Sequence, residues 1–143
     1  MQANQIAGGF FIVFERGEEF VSELTRFCEK EEVHWATFQG IGTFEDVEIG
    51  YYDLEARQYV MRNEEGPFEV ASITGNVAEI NEGPIVHTHG VLSRCDNSLE
   101  CIGGHIKSAY IAATLEISLW RVSMPIMRRY DDETGLNLIE IIS

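Results

Sequence analysis

The sequence predicts an α+β fold, a mainly antiparallel β-sheet with one amphipathic helix on its flank. Three observations carry that prediction. One segment, 18–31, has helical periodicity. About eight others read as strands. Short turns rich in Gly, Asn, Asp and Pro join most of them. With 143 residues, 45% of them apolar, the chain is sized for a single domain over 1–143. No linker or low-complexity segment divides it.

Residues 7–15 (AGGFFIVFE) are aromatic and branched, and read as a first strand. Arg16-Gly17 breaks it, and Glu18 and Glu19 suit the positive end of a helix. In 18–31 the apolar positions Phe20, Val21, Leu24, Phe27 and Cys28 recur at spacings that build one buried helical face. Glu23, Arg26 and Lys30 occupy the other. Residues 33–40 (VHWATFQG) return to strand. Gly40-Ile41-Gly42-Thr43 reads as a turn, lacking the Gly-Lys-Ser/Thr ending of a phosphate loop. Residues 44–53 alternate as a half-buried strand, 54–57 turn, and 58–62 return.

Asn63-Glu64-Glu65-Gly66-Pro67 reads as a further turn. Residues 68–80 form a long strand, with Gly75 at a bulge or close approach. Asn81-Glu82-Gly83-Pro84 turns into a strand over 85–94. The polar turn Cys95-Asp96-Asn97-Ser98 leads to a returning strand over 99–106. Residues 109–122 are ambiguous between helix and strand, and alternation favours strand in the second half. Residues 126–142 read as a hairpin about 131–135. One helix covers one face of such a sheet, and oligomerisation is one way to bury the other.

The charge is −14, from 24 acidic and 10 basic residues. Nucleic-acid affinity comes largely from Lys and Arg displacing counterions, so direct DNA or RNA binding is not expected. The one local cationic cluster is Arg121, Arg128 and Arg129, followed at once by Asp131, Asp132 and Glu133. Three cysteines without metal-type spacing point to a reducing compartment. No leader pattern and no run near the roughly 20 apolar residues of a membrane span is present, so a soluble cytoplasmic protein is expected.

Chemistry concentrates in Pro84-Ile85-Val86-His87-Thr88-His89-Gly90 and Gly103-Gly104-His105. Strand side chains alternate faces, so His87 and His89 point the same way, about 7 Å apart at ~3.3 Å per residue. His105 joins them only in one register. A two-residue loop at Asp96-Asn97 would set it opposite Thr88, on the wrong face. A three-residue loop, or a bulge at Gly103-Gly104, would set it opposite His87 or His89. Three neutral imidazoles suit zinc, ahead of nickel, copper or iron. Three protein ligands leave a fourth position open to water or substrate. Glu69, Glu79, Glu100 and Glu116 are candidates to orient the rings. His34, isolated between a charged run and Trp35, is read as structural.

Several segments in order resemble the plant and prokaryote conserved (PPC) domain family. They are Gly17-Glu18, Gly40-Ile41-Gly42, Tyr51-Tyr52-Asp53, Gly66-Pro67-Phe68-Glu69 and Ile73-Thr74-Gly75-Asn76. Pro84-x-x-His87-x-His89 and Gly103-Gly104-His105 complete the series. The resemblance implies a mainly antiparallel sheet with a flanking helix, assembled as a homotrimer. It also implies that His87, His89 and His105 are metal ligands. Plant members join the domain to Arg-Gly-Arg-Pro segments that enter the minor groove. This sequence has none, since Arg16-Gly17 is followed by Glu18-Glu19.

The expectation is a zinc-binding homotrimeric PPC-like protein with no physiological role defined by sequence. Two rivals stand beside it. One is a metal-dependent enzyme, hydrolase-type, acting on a small-molecule ligand. The other is a protein-interaction module associated with DNA-binding partners.

Overall fold

The computed structural model describes residues 1–80 and 83–141. The elements in chain order are β1 (Gln2–Ile6), β2 (Gly9–Glu15), α1 (Phe20–Lys30), β3 (Ala36–Asp53), β4 (Gln58–Ile80), β5 (Gly83–Arg94), β6 (Cys101–Arg121), β7 (Ile126–Asp131) and β8 (Leu136–Ile141). The strands form one sheet in the order β1-β2-β6-β3-β4-β7-β8, and β5 pairs with both β4 and β6. That double pairing closes β3, β4, β5 and β6 into a ring. Every described pairing between strands is antiparallel except β4 with β7. The expected class, a mainly antiparallel sheet with one helix, is the one observed.

The helix forms where its periodicity puts it. The Glu19 carboxylate accepts from the backbone N–H groups of Val21 and Ser22, at 3.2 and 2.7 Å, satisfying donors that a helix start leaves open. The same carboxylate accepts from Ala109 N–H of β6 at 2.9 Å, so one side chain both caps the helix and ties it to the sheet. At the other end Glu32 takes a left-handed φ of 52°, and Val33 N–H donates to the Cys28 carbonyl at 2.8 Å. Phe20, Leu24, Phe27 and Cys28 are buried together with sheet residues including Phe14, Phe38, Phe44, Phe68, Leu92 and Ile106. The core thus lies between the helix and the concave face of the curled sheet.

Several boundaries differ from the sequence expectation. β1 is a fully exposed, polar edge strand and carries no apolar alternation to reveal it. Ala7 and Gly8 are its turn to β2, with Gly8 at φ 81°. Residues 33–35 lie outside the strands, and β3 begins at Ala36.

Gly40-Ile41-Gly42-Thr43 is not a turn but an irregularity within the continuous β3. These glycines serve close approach: a Cβ at Gly40 would run into the Glu116 backbone, and one at Gly42 into that of Thr114. The Thr43 hydroxyl accepts from Ala113 N–H at 2.9 Å, satisfying a donor at this irregularity. Asn63–Pro67 is likewise no turn. β4 runs through it, with Gly66 and Pro67 forming a bulge opposite Glu45. A bulge is where a sheet tolerates a residue without an N–H.

β6 runs unbroken from Cys101 to Arg121 across most of the regions read as 99–106 and 109–122, which settles the helix-or-strand ambiguity as strand. The C-terminal hairpin is as expected. Asn81 and Glu82 of the predicted turn, and Ile142 of the last strand, lie outside the described residues.

Candidate metal centre

β5 and β6 position the histidines. On β5, Thr88 points inward and is 1% exposed, so His87 and His89 point outward. On β6, buried Ile106 points inward and its neighbour His105 outward. His89 pairs directly with His105. This register comes from loop length and not from a bulge. Five residues, 95–99, separate Arg94 and Glu100, whose backbones are joined by a 2.9 Å hydrogen bond. Pairing then runs from Ser93–Cys101 to His89–His105 without a shift, so of the two alternatives the odd loop holds and the bulge at Gly103-Gly104 does not form. Asp96 shapes the loop by accepting from Ser98 N–H at 2.8 Å, and Leu99 takes φ 50°. Gly104 instead permits contact with β3, where a Cβ would overlap the Gly50 carbonyl.

The three rings form a near-regular triangle. Their centroids lie 5.1 Å (His87–His89), 5.2 Å (His87–His105) and 5.4 Å (His89–His105) apart. One ring nitrogen from each lies within 4.8 Å of the others, so the cluster can hold a metal ion. The donor set fits a transition metal. Among the described residues, buried Nδ1 of His105 has no hydrogen-bond partner, leaving an atom with a lone pair or a proton to share. Tyr59 lies against the His105 ring at 4.7 Å and holds its plane.

Burial first, and nearby charge second, favour the neutral form of His87 and His105, the form that ligates. Burial, with the Arg128 charge and the other two histidines behind it, pushes the His87 pKa down to about 4. Burial also lowers that of His105, helped by His89 and Arg128. A stability consequence follows for metal-free protein. Unfolded His87 takes its proton near 6.5 and folded His87 near 4, so between these values the unfolded state holds more protons. Stability present above pH 6.5 is therefore lost as the pH falls towards 4. The loss is on the order of 1–2 kcal/mol once partial solvent screening is allowed for. Urea midpoints of wild type and His87→Gln should diverge over that window; parallel curves would count against a buried neutral His87.

Three residues beside the cluster were not anticipated as site residues. Arg128 of β7 donates through one terminal nitrogen to Asn76 Oδ1 at 2.8 Å and to His87 Nδ1 at 3.0 Å. Its other terminal nitrogen donates to the Asn137 carbonyl at 2.9 Å. Asn76 is the β4 partner of His87, and Thr74 that of His89. Pairing of Ile80 with Gly83 sets this register, which places Asn76 beside His87. Tyr59 and Arg128 had no signal in the sequence.

The cationic cluster disperses in space. Arg121 donates to the Glu31 carbonyl at the helix C-terminus at 2.8 Å, Arg129 pairs with Glu140 at 2.9 Å, and only Arg128 reaches the histidines. Among the described residues no carboxylate hydrogen-bonds to the three rings, so Glu69, Glu79, Glu100 and Glu116 do not orient them through direct bonds. Glu79 instead lies 2.8 Å from His34, which sits apart from the cluster.

A cleft of about 550 Å³ opens beside His87 and His105. The ends of β4 and β5, the β3–β4 hairpin and the β7–β8 hairpin wall it. Tyr52 anchors the last of these, donating to the Thr134 carbonyl at 2.8 Å.

Fold and cluster together define a class: a small, strand-rich domain whose outer face gathers a His-x-His pair and a third histidine into one group able to hold a metal. The chain belongs to the Plants and Prokaryotes Conserved (PCC) domain family, whose model matches residues 1–123. Solved structures agree. A metal-containing protein from Archaeoglobus fulgidus is 31% identical, with 97% of this chain and 95% of that one covered and a TM-score of 0.84. A plant- and prokaryote-conserved protein from Pyrococcus horikoshii is 28% identical over 99% and 95% of the two chains, with a TM-score of 0.85. A protein from Bacteroides thetaiotaomicron, provisionally described as DNA binding, is 22% identical over 98% and 96%, with a TM-score of 0.92, and shows the shared fold. No curated protein matches the chain.

Proposed function

We propose that the chain is a zinc-binding, homotrimeric PPC-type protein in which residues 1–143 act as one domain and His87, His89 and His105 hold the metal. The observation that carries this reading is the convergence of three imidazoles, one nitrogen from each within 4.8 Å of the others. The description of the Archaeoglobus relative as metal-containing supports it. Neutral nitrogen donors favour zinc over hard cations such as magnesium or calcium. The trimer rests on the family resemblance and on exposed Phe11, Ile41 and Trp120, which belong to the uncovered outer side of the sheet. Free Cys28, Cys95 and Cys101 suit a reducing, cytoplasmic setting. No described helix is long and apolar enough to cross a membrane.

Metal analysis of purified protein tests the site. Wild type should carry close to one zinc per chain, and His89→Ala less than a tenth of that. Equal, negligible metal in both would sink the reading. Sedimentation as a monomer would remove the trimer.

The cleft favours a second reading, a metal-dependent enzyme of hydrolase type acting on a small molecule. A bound metal would supply Lewis acidity toward a substrate oxygen. In that reading Tyr59 holds the His105 ring and Arg128 binds substrate. The provisional DNA-binding description of the Bacteroides protein favours a third, an interaction module working through DNA-bound partners. The charge of −14 argues against direct contact with nucleic acid. Tight DNA binding that survives moderate salt would overturn that argument.

A further inference from the structure

A neutral imidazole has one nitrogen lone pair to give. In this structure the lone pair of His87 is engaged. A guanidinium only donates, so Nδ1 of His87 must accept from Arg128, and its proton must then sit on Nε2. While that bond stands, neutral His87 has nothing to offer a cation. Coordination through Nδ1 takes the same lone pair. Coordination through Nε2 moves the ring proton to Nδ1, where it opposes the guanidinium N–H. Either way, metal binding by His87 and donation from Arg128 exclude each other.

The freed donor needs a new acceptor. Arg128 is half-buried and keeps its charge, and its buried Nε has no partner among the described residues. Among the described residues no carboxylate pairs with it. The nearby Lys107 differs, being paired with Glu48 at 2.9 Å. A metal ion would add positive charge beside an uncompensated guanidinium. The cleft on which Arg128, His87 and His105 open also has apolar walls, including Ile80, Ile85 and Leu138.

We propose that Arg128 is the anion-recognition residue of this cleft, released by metal binding at His87, and that the ligand is a small organic carboxylate with an apolar tail. The guanidinium fork fits a carboxylate in two parallel hydrogen bonds, and the apolar walls take the tail. Metal and carboxylate binding are therefore coupled, each favouring the other. The proposal rests on the metal reading for its coupling, but the anion pocket is separately measurable. Residue 128 lies beyond the 1–123 that match the family model, so the C-terminal hairpin of this chain supplies the recognition.

The test uses 3-methylbutanoate as probe, with 3-methylbutanamide and inorganic phosphate as controls. Binding is followed by isothermal titration and by the Arg128 Nε–H resonance, in metal-free and zinc-loaded protein, wild type and Arg128→Gln. Zinc-loaded wild type should bind the carboxylate at least tenfold more tightly than metal-free wild type and at least tenfold more tightly than zinc-loaded R128Q. R128Q should keep its zinc. Equal carboxylate binding by zinc-loaded wild type and R128Q overturns the proposal, as does amide or phosphate binding as tight as that of the carboxylate. Zinc that binds without raising carboxylate affinity overturns the coupling. Wild type that takes up no zinc overturns the metal reading and the coupling with it. The metal-free proteins then decide the pocket: equal carboxylate binding by wild type and R128Q removes it, and weaker binding by R128Q upholds it.

Discussion

Phe20→Ala should destabilise the protein by about 3–5 kcal/mol, the range for truncating a fully buried phenylalanine. Phe20 is fully buried and stands at the first turn of α1. Its ring meets Phe14 at 5.4 Å, Phe38 at 6.0 Å and Phe44 at 6.1 Å, with the first two contacts near edge-to-face. Those partners come from β2 and from either side of the Gly40–Gly42 irregularity in β3. The side chain is thus the plug on which the curled sheet closes, and the substitution leaves a cavity no nearby backbone can collapse into. Loss of the edge contacts adds to the loss of buried area. Urea unfolding of metal-free protein measures the effect. A loss below about 1 kcal/mol would mean that the helix does not anchor the core in this way.

The second large effect is at Gly104. A methyl group there would occupy the space of the Gly50 carbonyl, which is backbone and cannot rotate away. β3 and β6 must part where Gly50 pairs with His105. Gly104→Ala should therefore cost about 3 kcal/mol, the upper part of the range for overpacking. Zinc affinity should also fall at least tenfold, because the displaced segment carries His105. The adjacent Gly103→Ala is the control. Its nearest obstacle, the Gly90 carbonyl, would be 3.2 Å away. The entropy removed from the unfolded chain, roughly 0.4–1 kcal/mol, offsets that tight contact. Near-neutral Gly103→Ala beside damaging Gly104→Ala is the expected pattern. Equal effects would contradict the β3–β6 register.

Local chemistry was legible where one segment carries its own pattern. The spacing of Phe20, Val21, Leu24, Phe27 and Cys28 marked the helix, Glu18 and Glu19 marked its start, and the structure makes Glu19 the cap. Alternation marked 85–94 and put His87 and His89 on one face. Glycine and proline misled where they were read as chain reversals. At Gly40, Gly42 and Gly66 the small residue answers a neighbouring strand's backbone, and that neighbour lies far away in sequence. β1 was invisible because an exposed edge strand has no apolar face to display.

For the candidate site, the sequence by itself determined which imidazoles could meet and posed a parity condition for the third. A strand alternates with period two, so His105 joins only if the loop between β5 and β6 is odd or a bulge at Gly103-Gly104 shifts the register. Tertiary structure decided the rest. It set the loop at five residues, which pairs His89 with His105 without any bulge. It separated three neighbouring arginines into a helix cap, a surface ion pair and a neighbour of the histidines. Arg128 and His87 are 41 residues apart and lie on strands that do not pair. They meet because β7 docks beside the C-terminal end of β4, where Glu79 pairs with Met127. Periodicity is written along the chain, but which long-range pairing forms depends on burying every strand's apolar face at once, and only the closed sheet satisfies that condition.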